Sequence, residues 1–502
     1  MNDLIAPVHL PRVCYEIFVR AFCDSNGDGI GDINGITSKL DYLQELGIEA
    51  IWLTPIHPSP TYHKYDVTDY YAIEPEYGTM DDFRRLLSEA HQRGIHIYMD
   101  LVINHTSTHH PWFQKASASN ANPYRRFYWW MTPQQIETRR IGRRQLTADS
   151  WEANPWHDNP GDPEKYYGMF THSMPDLNYD SPLLRQKVYR ITQFWLNEIG
   201  VDGFRLDAAR HIYPYWEKER NPVFWEEFGK EIENIKPGSY TVGEVWAPAE
   251  EVGPYFRGLK ANFHFDLSFN LQRILYQGTH QNLVRRLLDD YRIFSTYNPA
   301  FIDATMLTNH DQNRIGSVVE GNIAQMKLAA AMLLTLPGQP YIYYGEEIGM
   351  LGQKPDERIR EPFIWTEDRN DPQRALWIKP RYSRRATVRA LSLQQQDPNS
   401  LYNHYRKLIA VRKAEPALGQ IQNPNLAETP IDTTTLLTYF RTHPTHPVLV
   451  IHNLIDAPQS VQLSGEMEKY TRLVFQTSPA VITEKNTIQL PAYGSVILTQ
   501  GS

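Results

Sequence analysis

Residues 201–211 read Val-Asp-Gly-Phe-Arg-Leu-Asp-Ala-Ala-Arg-His. A strand sends alternate side chains to opposite faces, so Arg205 and Asp207 share one face while Phe204 and Leu206 pack on the other. Buried charge is costly unless paired, and a guanidinium beside a carboxylate reads as a nucleophile held ionised. On this stretch alone a structural salt bridge explains the pair equally well. Two further carboxylates, Glu244 in Gly243-Glu-Val-Trp246 and Asp311 in Thr308-Asn-His-Asp311, also follow short apolar runs. Three carboxylates around one cavity cannot all stay ionised unaided, so their pKa values should separate. Arg205 keeps Asp207 charged. Glu244 has no cation beside it in sequence and takes the raised pKa of a general acid. A carboxylate nucleophile that forms a covalent glycosyl intermediate, with an acid that protonates the leaving oxygen and then activates water, is the scheme of retaining glycosidic cleavage. Asp311 would hold sugar hydroxyls and stabilise the transition state, with His105 and His310 donating to the same sugar. Zinc is the competing reading for these histidines, but no His-x-x-x-His spacing or tight His/Asp cluster supports it.

The elements that must position these groups alternate. Strands are predicted over 13–19, 50–53, 96–101, 203–206, 240–243, 262–265, 304–308 and 341–344. Helical periodicity appears between them, as in 80–93, 183–198, 224–235 and 323–334. One helix is expected to carry Ile36, Leu40 and Leu43 on one face and to end at Gly47. Eight strands alternating with helices imply a parallel (β/α)8 barrel, whose active site lies at the C-terminal strand ends. His105, Asp207, Glu244, His310 and Asp311 all fall there. The expected division is barrel over 1–105, an inserted small domain over 106–174, barrel again over 175–416 and a C-terminal antiparallel β-sandwich over 417–502.

The formal charge of -8 comes without a long block of either sign, which argues against nucleic acid or an anionic membrane as the main partner. The two cysteines, Cys14 and Cys23, suggest neither a disulfide framework nor a thiolate metal site. No stretch approaches a membrane span, and the N-terminus lacks a basic segment followed by a long apolar run. A cytoplasmic protein is expected, although a trimmed secreted form would look the same. The arginine pairs 139–140 and 143–144 have no Gly-rich cradle beside them and read as solvated. Asp24-Ser-Asn-Gly-Asp-Gly-Ile-Gly-Asp32 begins like an EF-hand, but Gly35 stands where the bidentate Glu belongs. Its oxygen donors still suit a hard cation, with calcium favoured over a solvated acidic turn.

Asp100-Leu-Val-Ile-Asn-His105, Gly203-Phe-Arg-Leu-Asp-Ala-Ala-Arg-His211, Gly243-Glu-Val-Trp246 and Thr308-Asn-His-Asp311 together resemble the α-amylase family of glycoside hydrolases, in the family's order and over essentially the whole chain. The resemblance implies the same barrel, inserted domain and β-sandwich. It also implies retaining cleavage of α-glucosidic bonds with Asp207 as nucleophile, Glu244 as acid/base and Asp311 as stabiliser. Arg205, His105 and His310 would line the subsite of the attacked sugar, and Tyr65 would stack on its ring. Asp66 and Arg360 resemble a pair that grips a non-reducing-end glucose in α-glucosidases, while Lys64 stands where a Gly usually precedes the Tyr. Residues 24–32, with Asp24, Asn26, Asp28, Ile30 and Asp32, resemble the calcium loop of oligo-1,6-glucosidases. A second calcium would use Asn104, the carbonyl of His211 and an aspartate of the insert, Asp158 or Asp162. Met174-Pro-Asp-Leu-Asn178 resembles a group intermediate between oligo-1,6-glucosidases and neopullulanases. The expected substrate is starch or malto-oligosaccharide, cleaved at α-1,4 bonds, with transglycosylation in view, by a monomer or small homo-oligomer. The alternatives are an exo-acting α-glucosidase or oligo-1,6-glucosidase, a cyclomaltodextrinase-like enzyme and, more remotely, a non-catalytic binding or transport subunit.

Overall fold

The computed structural model describes residues 10–142, 154–431, 433–477, 481–482 and 486–501. The first nine residues, Arg143 and Arg144 lie outside these. Eight parallel strands close into a barrel: β1 (Cys14–Ile17), β2 (Ala50–Leu53), β3 (His96–Leu101), β4 (Gly203–Leu206), β5 (Tyr240–Gly243), β6 (Ala261–Phe263), β7 (Ile302–Met306) and β8 (Gln339–Tyr343). Each pairs with its predecessor and successor, and β1 closes on β8. The last three begin one or two residues before their predicted limits. Parity then divides the side chains. Cys14, Ala50, Trp52, Tyr98, Val242 and Phe263 belong to a cluster that fills the barrel, whereas Tyr15, Ile51, Met99 and Phe204 join the core beneath the helices. Glu16, Asp100 and Arg205 have the inward parity and lie toward the C-terminal ends, where the apolar filling gives way to charge.

The helix expected across Ile36, Leu40 and Leu43 is two helices, Ile33–Ser38 and Leu40–Leu46, which meet at Lys39 with φ −108° and ψ 8°. The Thr37 and Ser38 hydroxyls donate to the carbonyls of Ile33 and Gly35, a side-chain competition that bends helices. By contrast, Met80–Gln92 starts on a capping box of Thr79 and Asp82, which satisfies backbone donors that a helix start leaves open.

The stretch after β3, without a readable period in sequence, contains the helices Pro111–Ala118 and Pro133–Thr138 and a sheet of Trp130–Met131, Trp156–Asp158 and Lys165–Tyr167. These strands are two or three residues long, too short to show alternation. The insert returns to the barrel where His105 and Asp176 form an isolated antiparallel bridge.

Beyond the helix Leu401–Ala414 come two antiparallel sheets of five and three strands. Their strands include Leu426–Glu428, Val448–Asn453, Arg472–Gln476 and Thr487–Leu490. Two fully buried arginines, Arg412 on that last barrel helix and Arg441 on a C-terminal strand, converge where the sheets meet the barrel. Arg412 donates to the carbonyls of Leu334, Leu336 and Gly338, and Arg441, on Leu436–Arg441, donates to that of Thr335 at 2.5 Å. All four carbonyls lie at or just past the end of the helix Ile323–Thr335. Burial lowers the pKa values of Arg412 and Arg441 to about 9 and about 10.

Candidate active site

A cavity of about 280 Å³ opens at the C-terminal ends of the barrel strands, with Tyr65, His105, Asp207, Glu244, Asp311 and Arg360 in its wall. At its base β3 and β4 place Asp100 opposite Arg205. Arg205 Nη1 lies 2.6 Å from Asp207 Oδ1 and 2.9 Å from Asp100 Oδ1, and its Nη2 lies 2.7 Å from Glu244 Oε1. Its guanidinium stands over the rings of Trp52 and Tyr65, 5.0 and 5.7 Å from their centroids. Arg205 thus reaches Asp207, as expected from sequence, and two further carboxylates besides. Arg205 is shared among three carboxylates, because a planar guanidinium offers several donors in one plane, and Glu244, just past the end of β5, reaches its far edge.

Glu244 is held by two further donors. The Ala208 N–H donates to Oε2 at 2.9 Å and the Trp246 indole N–H to Oε1 at 3.2 Å. Ala208 adopts φ 46°, a left-handed conformation unusual outside glycine, directly after Asp207. That turn aims its N–H at Glu244. Burial, with the charges of Asp207 and Asp311 adding to it, raises the Glu244 pKa against the pull of Arg205. Burial raises that of Asp207 as well, although Arg205 opposes it. Asp100 is pushed by burial to about 7. Asp311 goes the other way. Its burial is outweighed by His310, Arg360 and Lys354, which hold it well below the usual carboxylate range. Of the three, Asp311 alone shifts down; Glu244 shifts up as expected, whereas Asp207, which Arg205 was expected to hold charged, shifts up as well.

His105 Nε2 meets the carbonyl of Tyr65 at 3.1 Å, and burial lowers its pKa to about 4, so it is neutral near pH 7. Tyr65 stacks on His310 with centroids 5.6 Å apart, and its O–H donates to Asp100 Oδ2 at 3.1 Å. Arg360 Nη2 binds Asp311 Oδ1 at 2.7 Å and Asp356 at 3.2 Å. Asp66 is not brought to this corner. It is 1 % exposed, does not line the cavity, and accepts from the hydroxyls of Ser59 and Thr61. Lys64 holds a left-handed conformation, φ 65°, and is tied down by Glu74 at 3.0 Å and Glu76 at 3.1 Å.

The loop of Asp24, Asn26, Asp28, Ile30 and Asp32 is built on side-chain oxygens. The N–H of Asn26, Asp28 and Ile30 each donate to the side chain two residues before them, and Asp32 accepts from Ser25 and Gly35. None of its carboxylates pairs with a Lys or Arg among the described residues. The donor chemistry suits a hard cation. No three His, Cys, Asp or Glu side chains are grouped to hold a metal among the described residues, so a cation here would depend on Asn26 and the backbone for part of its shell. At the second place Asn104 Oδ1 is buried without a hydrogen-bond partner, but Asp158 is engaged by Lys165 at 2.6 Å and Asp162 by Arg125 at 2.7 Å. Both aspartates named for that second set thus already have cationic partners within the insert.

Sequence reasoning missed Glu16, whose charge inside the buried strand Cys14–Ile17 was the available signal. It also missed the cavity residues His63, Lys354 and Asp356, which come from two loop positions and the start of the one-turn helix Asp356–Ile359.

Residues 16–420 match the family described as "Alpha amylase, catalytic domain", and residues 436–497 match "Alpha-amylase SusG C-terminal domain". Alpha-amylase 3 of Dictyoglomus thermophilum is 41% identical over 492 residues, which cover 98% of this chain and 94% of that protein. A 4-alpha-glucanotransferase of Thermotoga neapolitana is 33% identical over 80% of this chain and 86% of its own length. The crystal structure of an alpha-amylase from H. orenii superposes with a TM-score of 0.87 at 39% identity, covering 97% of this chain and 99% of that one. With its closed barrel and convergent carboxylates, the chain belongs to the α-amylase family and is a glycosidase of that family.

Proposed function

We propose that the chain hydrolyses α-1,4-glucosidic bonds within starch and malto-oligosaccharides with retention of configuration. The observation that carries this is one guanidinium, Arg205, bridging Asp207 and Glu244 across a cavity that also holds Asp311. A shared cation suits the short carboxyl spacing of the covalent route, roughly 5–5.5 Å, rather than the roughly 6.5–9.5 Å that leaves room for an attacking water. Asp207, hydrogen-bonded to Arg205, attacks the anomeric carbon. Glu244, whose raised pKa lets it keep a proton, delivers that proton to the leaving oxygen, and then takes one from the water that releases the sugar. Asp311, kept anionic, binds hydroxyls of the distorted ring.

The exo-acting alternative relied on Asp66 acting with Arg360. With Asp66 turned into its own loop and Arg360 paired to Asp311, no such clamp closes the cavity, which supports attack within chains. Calcium, proposed for the 24–32 loop through Asp24, Asn26, Asp28, Ile30 and Asp32, would supply charge neutralisation and loop order and take no part in bond cleavage.

The test is a product time course on maltoheptaose and soluble starch with wild type and Glu244→Gln. Mixed internal fragments, reduced at least about a hundredfold in the variant, are expected. Glucose as sole product from the first minutes would overturn the endo assignment, and products longer than the substrate would reveal transglycosylation.

A further inference from the structure

Glu16 projects inward from β1 and is 1 % exposed. Its Oε1 lies 2.5 Å from His310 Nδ1 and 3.3 Å from the His310 backbone nitrogen. One carboxylate oxygen therefore fixes both the ring and the main chain of His310. The opposite ring nitrogen, Nε2, faces Asp311 Oδ2 at 3.2 Å and the Tyr65 hydroxyl oxygen at 2.6 Å. Since Tyr65 directs its own proton to Asp100, its oxygen is free to accept. Both imidazole nitrogens thus face acceptors, and an imidazole satisfies two acceptors only when both nitrogens carry protons.

We propose that Glu16 is a positioning residue that holds His310 as an imidazolium, with Nε2–H directed at Asp311 and, once substrate is bound, at a sugar hydroxyl. Glu16 itself touches no substrate and acts through His310. The charged groups around that ring come from every neighbouring element: Glu16 on β1, Tyr65 after β2, Asp100 on β3, Arg205 and Asp207 on and after β4, Asp311 beside it, and Arg360 after β8. Burial lowers the His310 pKa and Arg360 lowers it further, but Asp311 and Glu16 outweigh them and the net direction is upward. The imidazolium in turn is the largest favourable influence that keeps Asp311 ionised. Glu16 thereby supports the anionic state of a residue it does not contact.

The inference rests on α-glucoside cleavage in this cavity, and its test separates the two. In Glu16→Gln, which keeps the shape and removes the charge, kcat/KM on maltoheptaose at pH 7 is expected to fall about tenfold to a hundredfold, in the manner of other orienting partners. The loss should lie mainly in kcat, and the alkaline limb of the pH profile should move at least one unit toward acid. Glu16→Asp, which keeps the charge, should restore part of both. A Glu16→Gln profile that superimposes on wild type would overturn the proposal, as would a loss of rate with the alkaline limb unmoved. If Glu16→Gln does not fold, the histidine signals of labelled wild type, with His310 assigned through His310→Gln, decide. A His310 ring still doubly protonated at pH 7 supports the proposal, and a neutral ring overturns it. No turnover of any α-glucan by wild type would refute the proposed function, while the same titration would still test the Glu16–His310 pair.

Discussion

Lys64, between the cavity residues His63 and Tyr65, sets two opposing energies against each other. Its φ of 65° costs a residue with a Cβ about 1–2 kcal/mol. Its ammonium is buried against Glu74, with side-chain exposures of 5% and 9%, and removing one partner of a buried pair costs about 3–5 kcal/mol. The lower end applies, because Glu74 keeps a hydrogen bond from the Ser59 N–H at 3.0 Å. The second arm, to Glu76 at 39% exposure, adds little in water. Lys64→Ala loses the pair and keeps the strain, so about 3 kcal/mol of destabilisation is expected. Lys64→Gly loses the pair and gains the strain relief, less roughly 0.4–1 kcal/mol for the greater freedom of its unfolded chain. It should therefore be about 1 kcal/mol more stable than the alanine variant. Urea unfolding followed by tryptophan fluorescence should order the midpoints as wild type, then glycine, then alanine. Alanine equal to or above glycine would refute the strain, and either variant matching wild type would refute the ion pair.

Arg205→Lys offers a single ammonium where two amino groups reach three carboxylates. It should lower kcat/KM at least about a hundredfold, and activity within threefold of wild type would contradict the shared-cation geometry. Alkali should destabilise the fold. His264, buried between Asp303 and Asp290, has its pKa raised to about 10 because Asp303 and Asp290 outweigh its burial, so its contribution is complete below about 6.5 and lost as pH rises through about 10. Burial raises Glu346 and Glu347 to about 8 and about 7. The folded state then holds protons that the unfolded chain has released, and stability falls from about pH 4.5 upward for the same reason. Thermal midpoints measured from pH 6 to 10 should decline, with a flatter slope in His264→Gln. Calcium at a hundred times its dissociation constant should stabilise by about 2.7 kcal/mol, and Asp24→Ala should abolish that dependence. Identical midpoints in calcium and in chelator would remove the ion from the loop.

The barrel was legible because each strand is a short apolar run followed by polar residues, so periodicity and position agreed at Arg205, Glu244 and Asp311. What stayed hidden depends on distance through space. Glu244 and Arg205 are 39 positions apart, and no local pattern shows that one guanidinium reaches both Glu244 and Asp207. Asp66 adjoins Tyr65 in sequence, yet the neighbouring Ser59 and Thr61 hydroxyls capture its carboxylate. The break at Lys39 is set by two hydroxyls whose alternative acceptors only the folded backbone provides. Glu16 could have been noticed as an acid within an apolar strand, but its partner lies 294 residues away.

The two buried arginines at the end of Ile323–Thr335 bear on how this enzyme can be cut. A helix ends in carbonyls without partners, and here the guanidinium that answers Thr335 belongs to a strand of the C-terminal sheets. A chain stopped near residue 420 would retain Asp207, Glu244 and Asp311, yet the barrel helix preceding β8 would lose part of its cap and face water along its seam with the missing sheet. Excision of the C-terminal sheets should therefore yield an aggregating fragment rather than a minimal enzyme, and engineering by module exchange would have to carry Arg441 and its strand along with the barrel.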